Sequence, residues 1–235
     1  MLRSLAHRLL PPQCVVCELH PGAPATSICE HCEADFFAPG TDRCERCAIR
    51  LAAERAGAQG MCGRCLTTKP DFDATTTLAD YVSPVDGMVM AMKFSARLDL
   101  ADVFGRLLAR RILVAPGTDP DAIVVPVPLA FERVRQRGFN QSNHIARAFA
   151  GAAGLRLVVD RLLRVRHTPP QLALALKERR RNVRGAFAVE GKLDGQSIFV
   201  IDDVMTTGST LDEAARVLKQ AGAVHVHNLI VARTP

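Results

Sequence analysis

Eight cysteines fall into four C-x2-C pairs, Cys14 and Cys17, Cys29 and Cys32, Cys44 and Cys47, Cys62 and Cys65, and none follows in the rest of the 235 residues. Two cysteines two residues apart in a tight turn can present both sulfurs to one tetrahedral ion, so four such pairs supply the thiolates of two structural Zn2+ sites. A disulfide framework requires an oxidising compartment. Met1 to Leu10 carries Arg3, His7 and Arg8 among its leucines and so lacks the continuous apolar stretch of a secretory signal. No apolar run reaches the roughly 18 residues of a membrane span. The expectation is a cytoplasmic chain without membrane insertion, with zinc in place of disulfides. The spacing leaves the pairing open, because neighbouring pairs (a double ribbon) and alternating pairs (a cross-brace) both fit the intervening lengths. His31, between two cysteines, reads as a solvated knuckle residue.

Zinc also alters the charge balance. The formal net charge is +6, but a dication with four thiolates carries about −2, so two such sites lower the total to about +2. The distribution says more: Arg161 to Arg184 holds seven arginines and Lys177 against Glu178 alone, a local +7. That segment calls for an anionic partner or open solvent. Aromatics are only 5% with no Trp, which leaves few stacking platforms for single-stranded nucleic acid.

The cysteine-rich region ends near Leu66, and Thr67 to Thr77 reads as a linker or an entering edge strand, giving a boundary near residue 75: a zinc domain over 1–75 and a second domain over 76–235. Beyond it, Met88 to Met92 and Leu98 to Ile112 have helical spacing. Ala122 to Val127 is a β-branched run closed by Pro126 and Pro128, a strand entering a tight loop. Ser142 to Ala153 forms a helix with Ile145, Ala148, Phe149 and Ala152 on one stripe, stopped by Gly154. Leu155 to Val159 reads as a strand, the basic segment after it as a mobile loop, Ser197 to Ile201 as a buried strand, Asp202 to Ser209 as a loop, Thr210 to Ala221 as a helix with a Thr210/Glu213 capping box, and Val224 to Val231 as a closing strand. Strands alternating with helices imply an α/β fold with a mostly parallel sheet flanked by helices.

The densest chemical signal is Ile198 to Thr210, IFVIDDVMTTGST: a buried strand, two acids, a small-residue loop and a helix start. Free N–H groups of Thr206, Thr207, Gly208, Ser209 and Thr210 at a helix N-terminus attract a phosphate, while Asp202 and Asp203 accept hydrogen bonds from sugar hydroxyls. Gly208 lets the backbone close on the anion. The arrangement suits a ribose 5-phosphate and is not a P-loop, since no G-x-x-x-x-G-K-S/T occurs. Three other features have structural readings: Lys93 as a helix lysine that snorkels from an apolar stretch, with a ligand contact as the alternative, His225 and His227 as one partly buried strand face, although their spacing would also allow a metal pair, and Asn140 with His144 as capping and packing.

IFVIDDVMTTGST resembles the phosphoribosyl pyrophosphate signature of type I phosphoribosyltransferases. PVPL at Pro126 to Leu129, RQRGFNQ at Arg135 to Gln141, TPPQ at Thr168 to Gln171, ERRRNVRGAF at Glu178 to Phe187 and the cysteine-rich front resemble the ComF family of competence-associated proteins. The resemblance implies a type I phosphoribosyltransferase fold behind a double zinc ribbon. It further implies binding of phosphoribosyl pyrophosphate with Mg2+, and partners among single-stranded DNA and the competence DNA-processing proteins. It leaves open whether the chain is an enzyme. By this likeness Pro126, Val127 and Pro128 form the pyrophosphate loop, with Arg135, Arg137 and Gly138 within reach. Gln171, Arg179, Arg180 and Arg181 hold the place of a flexible catalytic loop, where their charge serves a leaving pyrophosphate, a DNA-phosphate surface or a solvated face.

Overall fold

The structure is a computed structural model and describes residues 13–19, 28–38, 40, 42–52, 60–113, 119–166 and 183–235. Five parallel strands form its centre in the order β1-β7-β6-β2-β3. They are β1 (Ala74–Asp80), β2 (Ile123–Pro126), β3 (Arg156–Leu157), β6 (Ser197–Met205) and β7 (His225–Arg233). A separate antiparallel ribbon pairs β4 (Leu162–Arg164) with β5 (Phe187–Val189). Alternation along the central strands sorts the core into two layers. Val124, Phe199, Ile201, Leu229 and Val231 face one layer, and Ile123, Val125, Ile198, Val200, Val226 and Ile230 face the other.

Helices cover both faces. On the first layer lie α3 (Val85–Phe94), α4 (Asp99–Leu113) and α6 (Gln141–Ala153), whose buried Val85, Met88, Val89, Leu100, Phe104, Leu108, Ile145 and Phe149 recur at helical spacing. The helix α7 (Ser209–Gln220) buries Leu211, Ala214, Ala215 and Leu218 in the second. The α6 helix starts where Asn140 accepts a bond from Ser142 N at 3.0 Å and ends at Gly154 in the left-handed region, as its sequence predicts.

The cysteine-rich part contributes α1 (Glu30–Phe37) and α2 (Gly63–Thr68) and runs along the edge strand β1, the exposed side of the sheet. Arg43 and Arg50 converge on Asp80 at 2.8 and 2.5 Å, and Thr75 N donates to Glu45 O at 3.1 Å. Arg111 of α4 donates to the carbonyl of Phe37 and, at 2.6 Å, to that of Thr77. Its two halves join opposite layers: Cys14, Ile28, Cys32 and Phe37 belong to the first, Cys44, Cys47, Cys65 and Phe72 to the second.

Several local expectations change. The β6 strand continues to Met205, so Asp202 and Asp203 are strand residues and the connecting loop is only Thr206 to Gly208. Gly208 takes φ 79° at the N-cap and starts α7 at Ser209, so Thr210 already has helical backbone and cannot cap. Glu213 instead accepts from Gly185 N at 2.7 Å and pairs with Arg216. The short α5 (Phe131–Arg137) and the β4–β5 ribbon were not expected. The α5 helix buries none of its residues and each ribbon strand has three, so neither carries a usable hydrophobic period. Among the described residues no helix is long and apolar enough to cross a membrane.

Candidate functional site

Strand order reverses between β2 and β6: from β2 the chain moves outward to β3, and from β6 outward to β7. At such a switch point the loops leaving the two strands part and open a crevice at their carboxyl ends. Both sequence-derived loops meet there, Pro126 to Pro128 after β2 and Asp202 to Ser209 on and after β6. The register pairs Pro126 with Ile201, which sets the prolines beside the acids.

Successive strand residues point to opposite faces, so Asp202 and Asp203 diverge. Asp203 is 5% exposed. Its Oδ2 accepts from Gln141 Nε2 at 2.6 Å and pairs with Lys93 Nζ at 2.9 Å. Asp202, half-buried, accepts from Ser142 Oγ at 3.0 Å and from Asp203 N at 2.9 Å through Oδ1. Burial and the neighbouring Asp203 charge push the Asp202 carboxyl up to about 7. Two adjacent acids in a desolvated crevice thus present a place for cationic or hydroxyl-bearing ligands.

The loop after β2 is held to α6: Asn140 Nδ2 donates to Val127 O at 3.0 Å. Gly138, at φ 82°, ends α5 by donating its N–H to Val134 O and turns the chain into Asn140. Arg137 donates to Gln141 Oε1 and its guanidinium lies 5.2 Å from the Phe94 ring centroid. A continuous chain therefore runs Arg137, Gln141, Asp203, Lys93. Burial lowers the Arg137 pKa, and the Asp203 charge opposes that shift. Arg135 is exposed on α5. Burial lowers the pKa of Arg164 on β4 and Arg133 lowers it further, while the Asp202 and Glu132 charges oppose the shift.

In the loop after β6, Thr206 is exposed, Thr207 and Thr210 are half-buried, and Gly208 and Ser209 are buried. Thr207 Oγ1 and Ser209 Oγ lie 2.9 Å apart. Gln171, Arg179, Arg180 and Arg181 lie outside the described residues. The residues flanking that segment include Arg164 and Phe187, paired across the β4–β5 ribbon.

Lys93, Gln141 and Ser142 were not assigned to the site from sequence. The clue to Lys93 was its position: the buried stripe Val85, Met88, Val89, Met92 repeats at three and four, and Lys93 falls four after Val89 on the same face. A cation on a buried stripe needs a buried acid. His227 accounts for its own burial through a 2.9 Å bond to Thr76 Oγ1.

The cysteines form two clusters, Cys14, Cys17, Cys29, Cys32 and Cys44, Cys47, Cys62, Cys65, the sulfurs of each within 4.8 Å of one another. Neighbouring pairs therefore combine as a double ribbon. The Cys17–Cys29 and Cys47–Cys62 sulfurs stand 3.8 and 3.6 Å apart, against about 3.8 Å for the edge of a tetrahedron with zinc–sulfur bonds of about 2.3 Å. Cys29 N donates to Cys14 Sγ and Cys62 N to Cys44 Sγ, both at 3.3 Å. Hydrogen bonding among the thiols draws the Cys44 pKa down and pushes Cys47 up to about 11, a crowding of sulfur charge that a dication relieves. The donor set fits zinc at both positions.

An α/β domain with paired acids and a strand–loop–helix turn at the switch point, behind a double zinc ribbon, is a phosphoribosyltransferase-type fold. Residues 103–235 match the phosphoribosyl transferase domain family, and residues 5–66 match the double zinc ribbon domain. The chain belongs to the competence protein F (ComF) family. It is 36% identical over 177 residues to the DNA utilization protein YhgH of Escherichia coli (strain K12), covering 74% of this chain and 78% of that protein. Competence protein F of Haemophilus influenzae is 30% identical over 179 residues, 73% of this chain and 78% of that protein. Competence protein ComFC of Bacillus subtilis is 31% identical over 107 residues, 44% and 41% of the two chains. Among solved structures, the glutamine phosphoribosylpyrophosphate amidotransferase from B. subtilis aligns with 60% of this chain and 30% of its own at 21% identity and a TM-score of 0.42.

Proposed function

We propose that the chain binds phosphoribosyl pyrophosphate as its Mg2+ complex in the crevice between β2 and β6, and that this cytoplasmic site serves the handling of incoming single-stranded DNA. The observation that carries the reading is the succession Asp202, Asp203, Thr206 to Thr210 along one strand end, loop and helix start, facing the Pro126 to Pro128 loop. Asp202 takes the ribose hydroxyls or the metal, and Asp203, pinned by Lys93 and Gln141, fixes the strand end beside it. Thr206 to Thr210 receives the 5-phosphate at the positive end of α7. Pro126, Val127, Pro128, Arg135, Arg137 and Gly138 form the side where the pyrophosphate lies. Bound Mg2+ would neutralise pyrophosphate charge. The functional division falls near residue 75, with the zinc ribbons before it and the ligand site after it.

Calorimetric titration of zinc-loaded protein with phosphoribosyl pyrophosphate and Mg2+ tests the reading. Asp202→Asn with Asp203→Asn should lower affinity at least tenfold, since hydrogen bonds to charged groups contribute about 1.5 to 3 kcal/mol each. Unchanged affinity in a folded double variant would refute it.

A second reading rests on the local +7 of Arg161 to Arg184 and on relatives named for competence and DNA utilization: that segment grips single-stranded DNA phosphates. Replacing Arg179, Arg180 and Arg181 by Ala separates the two roles. Loss of discrimination between phosphoribosyl pyrophosphate and ribose 5-phosphate marks a pyrophosphate clamp. A log-log salt slope for oligonucleotide binding that shrinks by up to about 2 units, roughly 0.7 per lost contact, marks a DNA grip.

A further inference from the structure

Two arginines tie the second zinc ribbon to the loop after β6. Arg233, the last residue of β7, is 4% exposed. Its Nε donates to Cys47 O at 3.1 Å, and its Nη1 to Met205 O at 3.1 Å and Thr206 O at 2.6 Å. Arg64 lies between Cys62 and Cys65 in α2, and its Nη2 donates to Thr207 O at 2.8 Å. Asp71 N, seven residues beyond Arg64, donates to Asp212 Oδ1 in the first turn of α7 at 2.8 Å. Three successive carbonyls, 205 to 207, are therefore held by two guanidinium groups, one carried on the second ribbon and the other carried on β7 and bonded to that ribbon at Cys47 O.

This arrangement has a geometric consequence. In a trans peptide the N–H points opposite to the C=O of the same unit. Pinning the carbonyls of Met205, Thr206 and Thr207 toward the ribbon turns the N–H groups of Thr206, Thr207 and Gly208 the other way. Those are among the donors assigned to the ribose 5-phosphate. The first cluster has no comparable link among the described residues: its anchors, Arg110 to Glu33 and Arg111 to the Phe37 carbonyl, lead to α4.

We infer that Arg233 and Arg64 are positioning residues for the phosphate loop, and that the Cys44, Cys47, Cys62, Cys65 zinc site is in energetic linkage with ribose 5-phosphate binding while the Cys14, Cys17, Cys29, Cys32 site is not. The inference rests on the proposed phosphate site and adds to it a metal on which the loop depends. Zinc fixes the Cys47 carbonyl and the Arg64 backbone, these fix the two guanidinium groups, and they orient the loop. Linkage is reciprocal, so ligand bound at the loop must strengthen zinc retention at the second cluster by the factor by which that zinc strengthens ligand binding.

The test uses the full zinc-loaded chain, a zinc-selective chelator and N-ethylmaleimide, with peptide mapping of all eight cysteines over time. Saturating phosphoribosyl pyrophosphate, with Mg2+ in both arms, should slow alkylation of the second cluster about fivefold or more relative to the first. Arg64→Gln, a change at an exposed side chain, should reduce that selective protection and weaken ligand binding by calorimetry. Arg233→Lys, which keeps the charge but not the fork spanning Cys47 and Met205, should do the same more strongly. Equal protection of both clusters would overturn the inference by reducing it to general stabilisation. So would full binding in calorimetry with no protection, in which case the phosphate-site reading survives alone. Absence of calorimetric binding in the unmodified protein would overturn both.

Discussion

Lys93 Nζ lies 2.9 Å from Asp203 Oδ2, with the two side chains 17% and 7% exposed. The pair joins the end of α3 to the end of β6 and so links a core helix to the acid pair. Gln141 Nε2, 2.6 Å from the same oxygen, completes its coordination. An acid this buried is tolerated because cation and amide together replace the water it has lost.

Removing one partner of such a pair costs more than the pair contributes, because the remaining charge stays buried. Lys93→Met should destabilise the fold by about 3 kcal/mol, less whatever Gln141 still supplies. The double variant with Asp203→Asn should recover most of that loss. Urea unfolding of the two single variants and the double variant checks this. Additive losses would show that the two side chains do not interact.

The double-ribbon pairing predicts which cysteines share a metal. Native mass spectrometry should find two zinc ions per chain, since each cluster completes one tetrahedron. Cys17→Ser should weaken the ion shared with Cys14, Cys29 and Cys32 and leave the other in place. Cys62→Ser should do the converse. Site-resolved alkylation reads the two apart, and any variant that exposes cysteines of both clusters equally contradicts the pairing.

What the sequence made legible follows from how local each signal is. The cysteine pairs and the periodic helices α3, α4 and α6 are each encoded within a short window and formed close to where expected, and the β6, loop, α7 succession formed in the expected order with its boundaries shifted. The pairing of the cysteines depends on contacts the spacing does not encode. The role of Lys93 is not legible in its own helix, because its acid lies 110 positions away on β6. The roles of Arg64 and Arg233 likewise exist only once Cys47, Thr207 and Met205 come together. The Thr210/Glu213 capping box failed for a local reason, the left-handed turn at Gly208 that starts the helix one residue early.

The crossing of α4 and α6 has no room for a methyl group. A Cβ on Gly105 would stand 2.6 Å from the Ile145 carbonyl oxygen, 2.7 Å from Phe149 N and 2.6 Å from the Ala148 Cβ. Two of these are backbone atoms, so the helices must part to accommodate it. Gly105→Ala should therefore destabilise by about 1 to 3 kcal/mol in spite of the better helix propensity of alanine, worth about 1 kcal/mol. Thermal and urea unfolding measure it, and a stabilised variant would mean the crossing is looser than these distances.

Asp202 gives the ligand-free protein a pH dependence opposite to that of an ordinary paired acid. Burial first, and then the Asp203 charge, raise its carboxyl from 3.8 to about 7, while Asp203 N–H, Lys93 and Ser142 oppose the rise. Between those two values the folded chain holds a proton that the unfolded chain has released. The stability from this group is therefore fully present below the unfolded value and is lost as pH rises through about 7. Asn resembles the neutral acid and does not titrate. The stability of Asp202→Asn relative to the unmodified protein should thus increase from about pH 5 to pH 7, by up to about 1.4 kcal/mol per unit, and level off above. The comparison cancels the carboxylates of Asp73, Asp80 and Glu213, whose pKa values are lowered by their basic partners and backbone donors despite burial, and which both proteins share. Unfolding midpoints across that range supply the measurement. A constant difference between the two proteins would show that Asp202 is already ionised in the folded state at about pH 5.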